Sequence, residues 1–316
     1  MFRHIKDLQF NVRVSGPDPR FANLLLEQFG GGNGELKAAM QYFVQAFNCR
    51  HTYPDKYDLL MDVATEEFSH LEIVGATITL LLDGVNPEMK KAAEGELVPQ
   101  MGAGDVKKAT VISEAMCNPH FLLESNGGPM VTDSRGVPWS GAFVNANGDL
   151  TVDLRSNVAA ESRAKIVYES LLKFTDDPYV QDTLRFLMTR EIAHFQQFQA
   201  ALSTIEPNFP PAILQGDLRF THTYFNMSEG EDARGPWNKG KGPWEKGEQW
   251  EYVEDPTEQV QDTIGQESKV PMGHERDEAV TKRLEHELAS LRSAEATREP
   301  VDGVLQWANF STEAEE

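Results

Sequence analysis

Glu67-Phe68-Ser69-His70 and Glu191-Ile192-Ala193-His194 constrain this chain more than any other feature. Glu and His three residues apart lie on one face of a helix, close enough to hold a cation between them. Each pair interrupts an apolar stripe of helical period. The first stripe is Leu60, Val63, Glu67, His70, Val74, Thr77 and Leu81; the second is Leu184, Leu187, Glu191, His194, Phe198 and Ala201. Carboxylates on a core-facing stripe need a compensating partner, because burying them alone is prohibitively costly.

Each pair has the same upstream neighbour. Glu35, Ala39, Tyr42 and Ala46 share one face of a helix predicted over 35–48, ahead of the Glu67 helix at 55–82. Val158, Glu161, Ala164, Tyr168 and Leu171 share a face over 156–173, ahead of the Glu191 helix at 177–203. Both halves therefore carry a lone Glu, a tyrosine two turns further on, and then a Glu-x-x-His helix. That is the pattern of a four-helix bundle around a dinuclear carboxylate–histidine site. Glutamate can bind one cation or bridge two, and imidazole adds a nitrogen to each, a mixture suited to manganese or iron. Tyr42 and Tyr168 have two readings: core tyrosines with satisfied hydroxyls, or hydrogen-bond donors to a nearby carboxylate. His4, His51, His120, His222, His274 and His286 lack such company and read as ordinary.

Around this duplication the fold class is mainly α. The expected architecture is a bundle over 1–206, with an N-terminal arm and a crossover at 84–156, followed by a loop-rich tail over 207–316. A short helix is predicted at 21–26, running into Gly30-Gly31-Gly32-Asn33-Gly34, where backbone must approach something closely. The crossover carries a helical piece at 105–117. Glycine turns and alternating apolar residues follow, including Phe143-Val144 and Leu150-Thr151-Val152, which predict one or two β-hairpins. The tail holds a small repeat (Gly235-Pro236-Trp237 and Gly242-Pro243-Trp244) and a helix over 275–297, too poor in apolar residues for a core of its own.

The net charge of −21 over 316 residues argues against a nucleic-acid backbone or an anionic membrane as partner. A small neutral substrate would be indifferent to it. The first residues have no apolar h-region, so no signal peptide is expected, and no apolar run is long enough to span a bilayer. Cys49 and Cys117 are the only cysteines, which suits a reducing compartment and points to the cytoplasm.

With these residues in place, the chain resembles the manganese catalases, a ferritin-like family. The likeness rests on Met1-Phe2-Arg3-His4, Gly31-Gly32-Asn33-Gly34-Glu35, Thr65-Glu66-Glu67-Phe68-Ser69-His70-Leu71-Glu72, Asn157-Val158-Ala159-Ala160-Glu161-Ser162 and Arg190-Glu191-Ile192-Ala193-His194. It implies two manganese ions per subunit, no haem, and disproportionation of hydrogen peroxide to water and dioxygen by cycling between Mn(II)₂ and Mn(III)₂. Glu67 would bridge the ions, with Glu35 and His70 completing one, and Glu161 and His194 the other. Glu191 would be the base that takes and returns protons rather than a ligand. The resemblance also implies a calcium site at Asp58 and Asp62 with Asn226, Ser228 and Gly230, oxygen donors of the kind calcium takes. The plain alternative is a solvated helix-face pair and an Asn-x-Ser-x-Gly turn. It further implies a homohexamer with tails embracing neighbours, and some relatives occur in spore coats. Where some members carry Arg before the matching Glu, this chain has Ala160. That implies a wider or differently charged channel, with Arg163 as a partial substitute. Two other readings stay open: another ferritin-like di-iron protein, a ferroxidase or peroxidase, and a coat-type protein with a structural metal site.

Overall fold

The computed structural model describes residues 4–83, 120–205, 219–220, 223–228, 230, 235, 250–266 and 278–296. The helix expected at 105–117 and all of the Gly-Pro-Trp repeat except Gly235 lie outside the described residues. The chain divides into two compact units, Met1–Ile205 with Glu287–Glu316, and Glu206–His286.

In the first unit, α1 (Pro19–Phe29) leads into α2 (Glu35–Cys49) and α3 (Pro54–Leu81). A short α4 (His120–Leu123) and a 3₁₀ turn at Gly141–Phe143 precede α5 (Leu150–Leu171) and α6 (Pro178–Leu202). The bundle is α2 packed along α3 and α5 along α6, with further contacts between α2 and α5 and between α3 and α6. Proline opens α1, α3 and α6, where its missing N–H costs nothing. Asp18 and Asp177 cap the first turns of α1 and α6 through their side chains.

The crossover reading needs two corrections, the first at Phe143-Val144, where Phe143 ends the 3₁₀ turn and Val144 caps it instead of forming a strand. Leu150-Thr151-Val152 is not strand: it is the first turn of α5, which starts ahead of the expected residue 156. The cause is Asp149, whose Oδ1 accepts from Thr151 N at 2.9 Å and Val152 N at 3.2 Å and so nucleates the helix. Hairpin character is present at its smallest over 131–139. There Asp133 N donates to Val137 O and Trp139 N to Val131 O about a single antiparallel bridge, Thr132 to Pro138.

The glycine turn before α2 is a close backbone crossing. A Cβ at Gly34 would lie 2.5 Å from Gln28 O, and one at Gly30 would lie 2.5 Å from Thr132 N. Only glycine allows this passage, and it delivers Glu35 directly at the start of α2. A buried amide network then fixes α2 against α5: Gln41 and Gln45 donate to Asn157 Oδ1 at 2.7 and 2.9 Å, and Asn157 Nδ2 returns a bond to Gln45 Oε1 at 2.6 Å.

Two apolar clusters fill the unit. One gathers Phe21, Leu25, Leu26, Ile73, Val74, Leu184 and Leu187; the other gathers Tyr42, Leu60, Val63, Leu154 and Phe198. Along α3 and α6 the polar pairs fall between residues of one cluster and residues of the other. In the second unit, β1 (Thr223–Phe225) pairs in parallel with β2 (Glu251–Val253), with Tyr224 and Tyr252 stacked at 5.9 Å. α7 (Pro256–Thr263) follows, and α8 (Glu278–Ala296) runs on into the first unit, where Ser290 Oγ donates to Thr52 O at 3.4 Å. Among the described residues no helix is long and apolar enough to cross a membrane.

Candidate metal centre

The helices bring Glu35, Glu67, His70, Glu161, Glu191 and His194 into one buried cluster, each at most 1% exposed. Glu67 stands at its middle. Its Oε2 meets His70 Nδ1 at 2.9 Å and its Oε1 meets His194 Nδ1 at 2.8 Å. One carboxylate thus presents a separate oxygen to each imidazole, and the two rings stack at 5.4 Å. Glu35 Oε2 approaches His70 Nδ1 at 3.7 Å, and Glu161 Oε1 approaches His194 Nδ1 at 4.0 Å, one on each side. Glu191 Oε1 lies 3.6 Å from His70 Nδ1, as near as Glu35 and longer than a hydrogen bond. Glu67, His70, Glu191 and His194 offer ligand atoms all within 4.8 Å of one another.

The tyrosines bind crosswise. Tyr42 on α2 donates to Glu161 on α5, and Tyr168 on α5 donates to Glu35 on α2. Each lone Glu is therefore oriented by the other half of the duplication. What remains around them is unsatisfied: Glu35 Oε2, Glu161 Oε2 and both oxygens of Glu191 are buried without hydrogen-bond partners among the described residues. Native interiors rarely leave such atoms unpaired. Oxygens and imidazole nitrogens converging on one point are the donor set that manganese or iron takes. The residues present fit a metal centre.

The electrostatics agree. Burial, then the charge of Glu67, pushes Glu35 up to about 8. Burial likewise raises Glu161 and Glu191 well above the usual carboxylate range, with neighbouring carboxylates adding to it. Burial also opposes ionisation of Glu67, but the two histidines outweigh it and hold that carboxylate well below its ordinary value. For His194 burial works against the cation, yet Glu67 and Glu66 carry it up to about 10. Burial favours protons on these carboxylates and the carboxylates favour charge on His194, a balance that bound cations would replace.

Nothing in the core stripes points to Glu66 as a site residue, yet it belongs here. Glu66 lies behind the histidines: Oε2 meets His194 Nε2 at 3.0 Å and Oε1 stands 3.6 Å from His70 Nε2. Arg190 Nε and Gln9 Nε2 donate to the same carboxylate at 2.7 and 2.8 Å. The signal for it is its place four residues before His70, one turn back on the same face. Carboxylates that fix the outer nitrogen of a ligating histidine set its tautomer and raise its basicity. Glu66→Gln is expected to keep the fold and to lower manganese affinity about 10- to 100-fold, as is usual for such partners. A competitive chelator titration checks this, and unchanged affinity would remove Glu66 from the centre. Lys37 is 2% exposed on α2, and its Nζ is buried with no hydrogen-bond partner among the described residues. Arg163, by contrast, is exposed and donates to Asn33 Oδ1 at 3.0 Å. Ala160 is buried beside Glu161 in sequence.

The residues expected to hold calcium fall in different units. Asp58 and Asp62 are exposed, one turn apart on α3. Asn226 is buried and accepts from Ser228 N at 3.3 Å, and Gly230 has a positive φ of 87°.

A family model described as manganese containing catalase matches residues 1–288. A manganese catalase of Bacillus subtilis is 38% identical over 266 residues, which make up 81% of this chain and 91% of that protein. Protein CotJC of Bacillus subtilis strain 168 is 35% identical over 207 residues, 65% of this chain and 95% of its own length. The crystal structure of wild-type KatB, a manganese catalase from Anabaena, matches with a TM-score of 0.64 at 34% identity, covering 81% of this chain and 100% of that one.

Proposed function

Because this chain belongs to the manganese-containing catalase family and, as an enzyme, disproportionates hydrogen peroxide to water and dioxygen, we propose how its buried groups divide that work. Two manganese ions per subunit bind at the cluster. Glu67 would be shared between them, Glu35 and His70 would hold one, and Glu161 and His194 would hold the other. The observation that carries this is the carboxylate of Glu67, which offers one oxygen to each histidine Nδ1 while unpaired oxygens of Glu35 and Glu161 flank the two sides. When bound, two ions each changing by one unit would take up the two electrons that one peroxide gives up and pass them to the next.

The protein handles the protons and the geometry. One peroxide loses two protons and two electrons as it becomes dioxygen; the second gains two of each as it becomes two waters. Glu191 is the group proposed to hold a proton between these halves. Its oxygens accept no hydrogen bond from the described residues, and burial favours its protonated form. Tyr42 and Tyr168 hold the terminal carboxylates in place, so that Glu161 and Glu35 each keep one oxygen free.

Cytoplasmic placement rests on the cysteines, of which Cys49 is a free thiol, and a spore coat, if the host forms spores, rests on the family resemblance alone. A homohexamer is what the family resemblance implies; Leu288 and Leu291, exposed on α8, are residues a neighbouring subunit would cover, and mass in solution reads the assembly directly. Calcium rests on donor chemistry alone. Metal analysis of the purified protein beside oxygen evolution from peroxide tests the whole reading. Two manganese per subunit with rapid oxygen release is expected, and calcium shows in the same analysis. Bound iron without oxygen evolution would sink it in favour of a di-iron protein.

A further inference from the structure

Lys37 is placed against three physical preferences at once. It lies in the first turn of α2, where the helix dipole already disfavours a cation. It is 2% exposed, so its amine has lost water. Its Nζ has no hydrogen-bond acceptor among the described residues. The charges acting on it are Arg163, which repels it, and Glu161 and Glu67, which attract it. Gln41, one turn on from Lys37, donates to Asn157, one turn before Glu161, so Lys37 lies on the face of α2 turned toward α5 and Glu161. A buried donor of this kind needs an acceptor that the described residues do not provide.

We propose that Lys37 Nζ is the donor that receives peroxide, and the small anions that compete with it, on the Glu161 side of the metal centre. This rests on the manganese reading of the cluster. A nitrogen that donates to a peroxide oxygen or to a small anion satisfies its own missing bond and fixes the incoming molecule beside Glu161. It does so as ammonium or as amine, because both carry N–H groups. Exposed Arg163, already engaged with Asn33, does not offer a buried donor there.

The test starts from the manganese content of the unaltered protein. Absence of manganese there would defeat the reading of the centre itself, before any variant is made. With manganese present, Lys37→Met and Lys37→Arg are compared by metal analysis, by optical titration of the oxidised enzyme with azide, and by steady-state kinetics. Lys37→Met is expected to keep its manganese, to bind azide at least about tenfold more weakly, and to raise KM for peroxide more than it lowers kcat. Lys37→Arg, which restores a donor, is expected to recover most of the azide affinity. Full manganese with azide affinity and KM unchanged in Lys37→Met would overturn the proposal. Loss of manganese from both variants would overturn it too, because Lys37 would then serve assembly of the centre. Bromide-soaked crystals of the unaltered protein give a readout independent of variant folding: an anomalous peak within hydrogen-bond distance of Nζ supports the assignment, and peaks only elsewhere contradict it.

Discussion

Glu191→Gln is expected to retain its manganese and lose about 10²- to 10⁴-fold in kcat, the range over which a positioned proton carrier contributes. The substitution keeps the length and volume of the side chain, so Leu187 and His194, one turn to either side on the same buried stripe, have no reason to move. It removes only the capacity to take and return a proton. Among the buried carboxylates Glu191 is distinctive in having both oxygens free of hydrogen bonds, while Glu35 and Glu161 each have one held by a tyrosine. A held oxygen suits a fixed ligand; a free carboxyl suits a group whose charge changes in every cycle. Metal content and peroxide turnover measured on one preparation decide between the two roles. Normal manganese with crippled turnover is the expected result. Loss of one ion in the variant would make Glu191 a ligand, a role its 3.6 Å approach to His70 Nδ1 allows on distance alone.

The bundle and its centre were legible because both obey a single period. Every residue of the α3 stripe from Leu60 to Leu81 and of the α6 stripe from Leu184 to Ala201 is buried, polar members included. The lone glutamates and tyrosines on α2 and α5 are buried by the same rule. Spacing along a helix dictates which residues share a face, so a pattern confined to helices survives into three dimensions. Contacts that depend on which helix lies opposite did not show. The tyrosines are one case, since periodicity associates Tyr42 with Glu35 but its hydroxyl crosses to Glu161. Glu66 is another, because its role comes from Arg190 and Gln9 arriving from elsewhere in the chain. The start of α5 was misplaced for a local reason: three residues of alternating character resemble a strand, and the Asp149 cap outweighs them.

Removing the metals is expected to turn a pH-tolerant protein into one that loosens as pH rises from about 4.5 to about 8. In the metal-free cluster Glu35 holds its proton up to about 8, against 4.5 for the unperturbed group, and Glu161 and Glu191 are raised as well. A raised folded-state value means that the group's contribution to stability is complete below 4.5 and is lost as pH climbs through the folded value. His194, raised from 6.5 to about 10, extends the loss to higher pH with the same sign. Glu66 and Glu67 are depressed and act oppositely, contributing above 4.5 and failing only in acid. The net expectation is a metal-free melting temperature falling by roughly 10 °C between pH 5 and pH 8, since the shift of Glu35 alone is worth a few kcal/mol and 1 kcal/mol shifts a domain of this size by a few degrees. Bound cations replace the protons and remove the reason for the slope. Melting curves taken across that window with chelator and with added manganese should therefore diverge as pH increases. Curves that stay parallel would mean that the buried acids are not what the metals neutralise, and the centre would have to be built from other groups.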